Sequence, residues 1–180
     1  EDLRKMALDD MIDYFGVGSI DRWVNAPVGH RPNDLLPEAK SVIVMGIRVP
    51  EGCIEANYRA YEGLRHGIFT YMLYGYNLIN DLLEDISMKV AQHLESVGQK
   101  VFLPPASVGR DEYLMRGVMS NRHSAVCAGL ADLGWNGLAL TPDAGPRVRW
   151  VVIVTDAELE ADPLYSGPPL CKKCKTCAKL

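Results

Sequence analysis

The chain lacks the features that mark several large protein classes. It has no run of about eighteen apolar residues, so no segment is expected to cross a membrane as a helix. It has no basic excess: 19 Lys and Arg face 23 Asp and Glu, and the formal charge of -4 argues against nucleic acid as a main partner. There is no Ser-His-Asp order, no pair of catalytic carboxylates and no phosphate loop, which excludes the common hydrolase and nucleotide-triphosphatase designs. Gly16-Val17-Gly18 lacks the further glycine of a dinucleotide fingerprint and reads as a turn. Histidine is scarce. His30 and His66 fall in or near loops without a cysteine or acidic partner, and His93 reads as an exposed helix residue. No signal-like or twin-arginine segment is visible, and Glu1 in place of Met is compatible with a removed leader. The cytoplasm is the expected compartment. Internal repeats are absent too.

What the chain does have is enough apolar residue, 48% of 180, to bury one substantial core. Helical spacing of Leu3, Met6, Ala7, Met11 and Tyr14 predicts a helix over residues 2–15. Ile79, Leu83, Ile86, Val90 and Leu94 carry a longer helix from about 68 to 97, with Gly98 as its stop. Small residues predict a third helix over 121–133. Residues 41–48 and 147–154 read as buried strands, 100–104 as a shorter one, 51–63 as a loop or short helix, and 134–137 as a turn into Leu138-Ala-Leu140. Helices and strands alternate only loosely. The expected fold is therefore α+β, a central sheet with flanking helices.

Five cysteines are present, and three close the chain as Cys171-Lys-Lys-Cys174-Lys-Thr-Cys177. Equal two-residue gaps match the ferredoxin run C-x2-C-x2-C-x3-C-P, in which a tight loop wraps thiolates around an iron–sulfur cubane. The fourth cysteine of that run would follow Leu180, so the motif is expected to continue. Zinc sites more often use two separated C-x2-C pairs, which leaves zinc as the alternative. Prolines at 163, 168 and 169 lead into the run. They divide the chain into a core over residues 1–164 and the start of a cluster module over 165–180. Cys53 and Cys127 read as buried small hydrophobes.

Several stretches stand in a familiar order: Leu35-Leu-Pro-Glu-Ala-Lys-Ser-Val-Ile-Val44, Arg122-His123-Ser-Ala-Val-Cys-Ala-Gly-Leu130 and Leu133-Gly-Trp-Asn-Gly-Leu138. Thr141-Pro-Asp-Ala-Gly-Pro-Arg-Val148, Val154-Thr-Asp156 and the cysteine run then follow. Together they resemble the epoxyqueuosine reductases, their iron–sulfur paralogues and the corrinoid-dependent reductive dehalogenases. The resemblance implies a cobalamin-binding core similar to flavin nitroreductases, followed by a ferredoxin-like module with two 4Fe–4S clusters. Electrons would pass from the clusters to cobalt for reductive chemistry on a small molecule. It further implies a donor such as ferredoxin or flavodoxin, and a possible homodimer. Cys171, Cys174 and Cys177 become cluster ligands. Arg122, His123, Gly134, Gly137, Thr141, Gly145 and Arg147 become the cofactor-binding set, with His123 also readable as a structural contact at a helix start. A flavin in place of the corrinoid stays open.

Residues Pro105–Tyr113 do not match the acidic proton-donor segment of epoxyqueuosine reductases, nor does the chain match the Tyr and basic pair of dehalogenases. The catalytic residue is left unassigned, with Asp111, Tyr113 and Arg116 as donors by type and an uncharacterised paralogue as the expectation. Replacing Cys174 by Ser is expected to abolish cluster absorbance. An unchanged spectrum and iron content in Cys174→Ser would count against the cluster.

Overall fold

The two longest apolar runs of the chain pair with each other along their whole length, Ser41 opposite Thr155 and Arg48 opposite Val148. The structure is a computed structural model that describes residues 2–9, 11–107, 113 and 116–179. In chain order come helix α1 (Asp2–Asp9), strand β1 (Tyr14–Ser19), a 3-10 turn (Ile20–Trp23), the short helix α2 (Pro32–Leu35), β2 (Ser41–Arg48) and α3 (Glu51–Tyr61). Next, α4 (Gly67–Thr70), a π-helical segment (Tyr71–Asn77) and α5 (Leu78–Ser96) run on without a break. They are followed by β3 (Val101–Phe102), α6 (Asn121–Cys127), β4 (Asp132–Leu133), β5 (Ala139–Leu140), β6 (Val148–Thr155) and a last 3-10 turn (Thr176–Ala178). The main sheet has the order β1-β2-β6-β3, with every neighbour antiparallel, and β4 pairs with β5 apart from it. Among the described residues no helix is long and apolar enough to cross a membrane.

Alternation along the strands divides the core in two. Ile43, Met45, Ile47, Val151 and Ile153, with Phe15 and Val17, pack against Ala7 of α1, Cys53 of α3, and Ile79, Leu83, Ile86, Val90 and Leu94 of α5. Val42, Val44, Val148, Trp150, Val152 and Val154 pack on the other face with Trp23, with Ala125 of α6 and with Ala128 just after it. Because both faces are covered, β2 and β6 read as largely apolar runs, with Arg149 as the one charged residue inside β6. Burying each Val, Leu or Ile in such a core contributes about 1.5–3 kcal/mol. The expected α+β architecture is what forms.

Three boundaries differ from the sequence reading. The first helix ends at Asp9, and Tyr14 opens a strand. Met11, at φ 73, turns the chain, and Asp13 ties it to β2 by donating its amide to Gly46 O at 3.0 Å and accepting from Arg48 N at 2.7 Å. Gly16 and Gly18 therefore lie in β1, not in a turn. A Cβ on Gly16 would stand 2.7 Å from Ala128 O, and one on Gly18 2.7 Å from the Trp23 ring, so these glycines let α6 and Trp23 close onto the strand. The helix expected over 121–133 stops at Cys127, ahead of Gly129 at φ 78, and residues 132–133 pair as β4 instead. The long helix runs as expected to Ser96, with Gly98 at φ 85 after it, but residues 71–77 are π-helical.

Gly46 faces Trp150, and a Cβ there would come 2.5 Å from the ring. Gly46→Ala is expected to cost about 1–3 kcal/mol by overpacking. Gly52→Ala on α3, with open space at its Cβ, should be neutral or stabilising. Urea unfolding of the two variants checks the contrast.

Candidate functional site

A cavity of about 650 Å³ opens where β6 begins, between the N-terminal end of α6, the π-helical segment and the turn 141–147. This volume lies within the range of small-molecule and cofactor sites. Val49, Ile54, Val148 and Trp150 give it apolar walls, and Arg116, Arg122, His123, Arg147 and Arg149 add polar ends. Among the described lining residues there is no carboxylate. Asn121 also lines it: its Nδ2 donates to Ala106 O and Trp150 O, both at 3.0 Å, while its buried Oδ1 has no partner.

Of the expected cofactor-binding residues, Arg122, His123 and Arg147 line this cavity. Arg122 donates to Gly137 O at 2.9 Å. Arg147 donates from Nε to Ala144 O at 3.1 Å and pairs with Glu51 of α3 at 2.6 Å. The imidazole Nδ1 of His123 lies 2.7 Å from the hydroxyl of Ser120, the N-cap of α6, so the structural contact at the helix start is present. Gly134, Gly137, Thr141 and Gly145 stand behind the wall and build the two turns that carry it. Gly137 and Gly145 have φ of 71 and 59, where a side chain would be strained. Thr141 is buried, exchanges both backbone hydrogen bonds with Gly145, and accepts the Ala144 amide at 3.1 Å through its hydroxyl.

Tyr14 of β1 fastens the second turn to the sheet. Its hydroxyl donates to Asp143 at 2.7 Å, and its ring lies 5.4 Å from that of Trp150. Burial, with Asp143 beside it, pushes the Tyr14 hydroxyl up to about 12, and the same hydrogen bond holds the Asp143 carboxyl below its usual range.

The first turn touches the cysteine run. Trp135 N donates to Cys171 Sγ at 3.2 Å, the Lys175 ammonium lies 5.7 Å from the Trp135 ring centroid, and Leu170 N donates to Asp132 at 3.1 Å. Cys171 is half-buried, while Cys174 and Cys177 are exposed. Lys173 and Lys175, on either side of Cys174, both take left-handed φ, 50 and 59, which folds the run into a tight loop. The Thr176 hydroxyl donates to Cys174 Sγ at 3.4 Å, and this contact, with backbone amides and Lys172, holds the Cys174 thiol below its ordinary range. Among the described residues no group of three or more His, Cys, Asp or Glu converges as a metal site. Cys53 is buried in the core as expected, and burial pushes the half-buried Cys127 thiol up.

Of the donors considered by type, Arg116 lines the cavity, Tyr113 is exposed, and Asp111 lies outside the described residues. Sequence reasoning missed Asn121 and Arg149 of the cavity wall and gave His30 no role there. Only Arg149 left a trace, as a charged residue inside the apolar run of β6.

No family model matches the chain. Tetrachloroethene reductive dehalogenase of Dehalobacter restrictus is 28% identical over 179 residues, 98% of this chain and 28% of that protein. The enzyme of the same name from Desulfitobacterium hafniense is 27% identical over the same span. The chain thus covers little more than a quarter of these curated relatives. Among solved structures, an epoxyqueuosine reductase superposes with a TM-score of 0.70 at 18% identity, over 99% of this chain and 50% of that one. Another, bound to an epoxyqueuosine-modified tRNA-Tyr stem loop, gives 0.69 at 17% identity, with the same coverage. A reductive dehalogenase described in terms of B12-dependent dehalogenation gives 0.67 at 15% identity, over 98% of this chain and 24% of that one. These superpositions establish the shared fold, and the relatives are those that the sequence motifs resemble.

The Tyr14 contact has a pH signature. The unfolded side chain titrates near 10, so between about 10 and about 12 the folded chain keeps a proton that the unfolded chain has lost. The stability this gives is full below about pH 10 and lost as pH rises through about 12. Tyr14→Phe is expected to cost about 1 kcal/mol near neutrality, and the gap between the two proteins in urea midpoint should change over that alkaline window. A gap independent of pH would contradict the assignment.

Proposed function

We propose that this chain is the cofactor-binding core, with the opening of the cluster module, of a corrinoid- and iron–sulfur-dependent reductase acting on a small molecule. One observation carries the reading. The turn from Gly134 to Gly137 gives its Trp135 amide to Cys171 Sγ, and its Gly137 carbonyl holds Arg122 at the cavity wall. A cluster at the cysteine run and a ligand in the cavity would thus lie on two sides of one tight turn.

The residues present suit both groups. A corrinoid needs a broad apolar wall and hydrogen-bonding partners for its peripheral amides; Trp150 and Val148 provide the first, and Arg122, Arg147 and the unpartnered Asn121 Oδ1 the second. Cys171, Cys174 and Cys177 are the thiolate set for a cluster, and the depressed Cys174 thiol favours the ligating form. When bound, the cluster supplies single electrons and the corrinoid a cobalt centre that takes them up. The chain's own residues do the rest. The Trp135 amide stabilises negative charge on the Cys171 sulfur, and such hydrogen bonds tune cluster potential. Arg122 and Arg147 are locked by Gly137 O and Glu51, so they can orient a ligand with little further ordering. Trp150 and Val148 exclude water from the floor. His30 and His123 also stand on the wall.

The small-molecule reading follows the curated sequence relatives, which are tetrachloroethene dehalogenases. A tRNA substrate, suggested by one structural relative, is set against the net charge of -4. A ferredoxin or flavodoxin donor, a cytoplasmic setting and pairing into a homodimer complete the proposal. Metal analysis of the full-length protein, purified without oxygen, tests it. About eight iron atoms per chain are expected for two 4Fe–4S clusters, with cobalt and a pink to orange chromophore. Zinc alone would overturn the redox reading, and a releasable yellow chromophore without cobalt would replace the corrinoid by flavin.

A further inference from the structure

The cavity carries more positive charge than a neutral ligand would require. Four arginines and two histidines line it, with no Asp or Glu among its described residues. Arg147 is neutralised by Glu51. Arg122 and Arg149 have no carboxylate partner among the described residues: the first is held by a carbonyl, the second by an amide and an aromatic ring.

Arg149 is the more firmly built of the two. It stands in β6 between the buried Val148 and Trp150. Its Nε donates to Asn80 Oδ1 at 3.1 Å, and its guanidinium carbon lies 4.2 Å from the Tyr76 ring centroid. The Tyr76 hydroxyl is in turn 2.6 Å from Ser107 Oγ. Asn80 is 5% exposed on α5, a costly place for an amide unless it has a partner. A half-buried cation without a counter-charge carries a desolvation cost as well, and an incoming anion relieves it. With Nε engaged and the guanidinium carbon over the Tyr76 ring, both Nη groups remain as a fork among the described residues. A planar fork of this kind matches two oxygens of a carboxylate or phosphate.

We propose that Arg149 is an oxyanion receptor of this cavity, its two Nη groups taking a carboxylate or phosphate of the ligand, with Asn80 and Tyr76 as positioning residues. The oxyanion belongs either to a carboxylate-bearing substrate or to a phosphate-bearing group. The proposal rests on the cavity being the ligand site and is independent of which metal the protein holds.

Calorimetric titration of the full-length protein as purified, its metal content measured on the same sample, tests the idea with benzoate and inorganic phosphate as probes. Wild type should bind at least one of them. Arg149→Gln should weaken that binding by about tenfold or more, the loss expected for a charge-assisted hydrogen bond. Arg149→Lys keeps the charge without the fork and should also weaken it; this variant decides the matter if the glutamine protein fails to fold in a thermal melt. Arg59→Gln, whose ion pair with Glu55 lies on α3 away from the cavity lining, is the control and should bind as wild type does. Preference for benzoate assigns the fork to a carboxylate, and preference for phosphate to a phosphate-bearing group. Absence of binding to both probes, or equal affinity in wild type and the Arg149 variants, would overturn the proposal. Anion binding without cobalt or iron would leave the receptor standing and remove the corrinoid reading instead.

Discussion

Everything in this fold hangs on the antiparallel pairing of β2 with β6. The eight-residue ladder between them supplies the centre of the sheet, and its alternating side chains fill both cores. The same pairing brings Gly46 under Trp150 and presents the start of β6 at the mouth of the cavity. A register slip of one residue would exchange the two faces and take Trp150 away from α6. The glycines of β1 and β2 belong to this constraint, since they leave room for α6 and for the indole ring.

The cavity is a by-product of how the second layer is closed. α6 is short and its buried residues, Ser124 and Ala125, are small, so it lies close to the sheet, and loops and turns complete the layer around it. Those turns are fastened at several points: Tyr14 to Asp143, Arg122 to Gly137, Leu170 to Asp132. Some of the residues doing the fastening also line the cavity, Arg122 among them. Structural and ligand-binding roles therefore overlap here, and Arg122 and Arg147 hold the turns as well as lining the site.

Residues 41–48 and 147–154 were legible in the sequence because a strand covered on both faces announces itself as an apolar run rich in β-branched residues. Strand β1 was not legible. Its glycines make sense only once α6 is seen lying on them, and the helical spacing of Leu3 to Met11 extends by accident to Tyr14. The end of α6 was hidden for a related reason, since a row of small residues says little about where a helix stops. In the site, Arg122, His123 and Arg147 could be named through a family resemblance. Arg149 could not, because its meaning depends on Asn80 and Tyr76, which reach it from α5 and the π-helical segment across some seventy positions of sequence.

That π-helical segment sets the phase of the cavity wall. With hydrogen bonds reaching one residue further than in an α-helix, residues 71–77 advance around the axis in smaller angular steps. Tyr71 and Tyr76 both come to line the cavity under this winding, five positions apart. In an α-helix, residues three or four apart share a face, and a pair five apart is splayed around the barrel of the helix. The tyrosine wall is thus a property of the winding as much as of the side chains. Removing a single residue from the segment would rewind it and rotate one ring out of the wall, while leaving every residue of the site chemically intact.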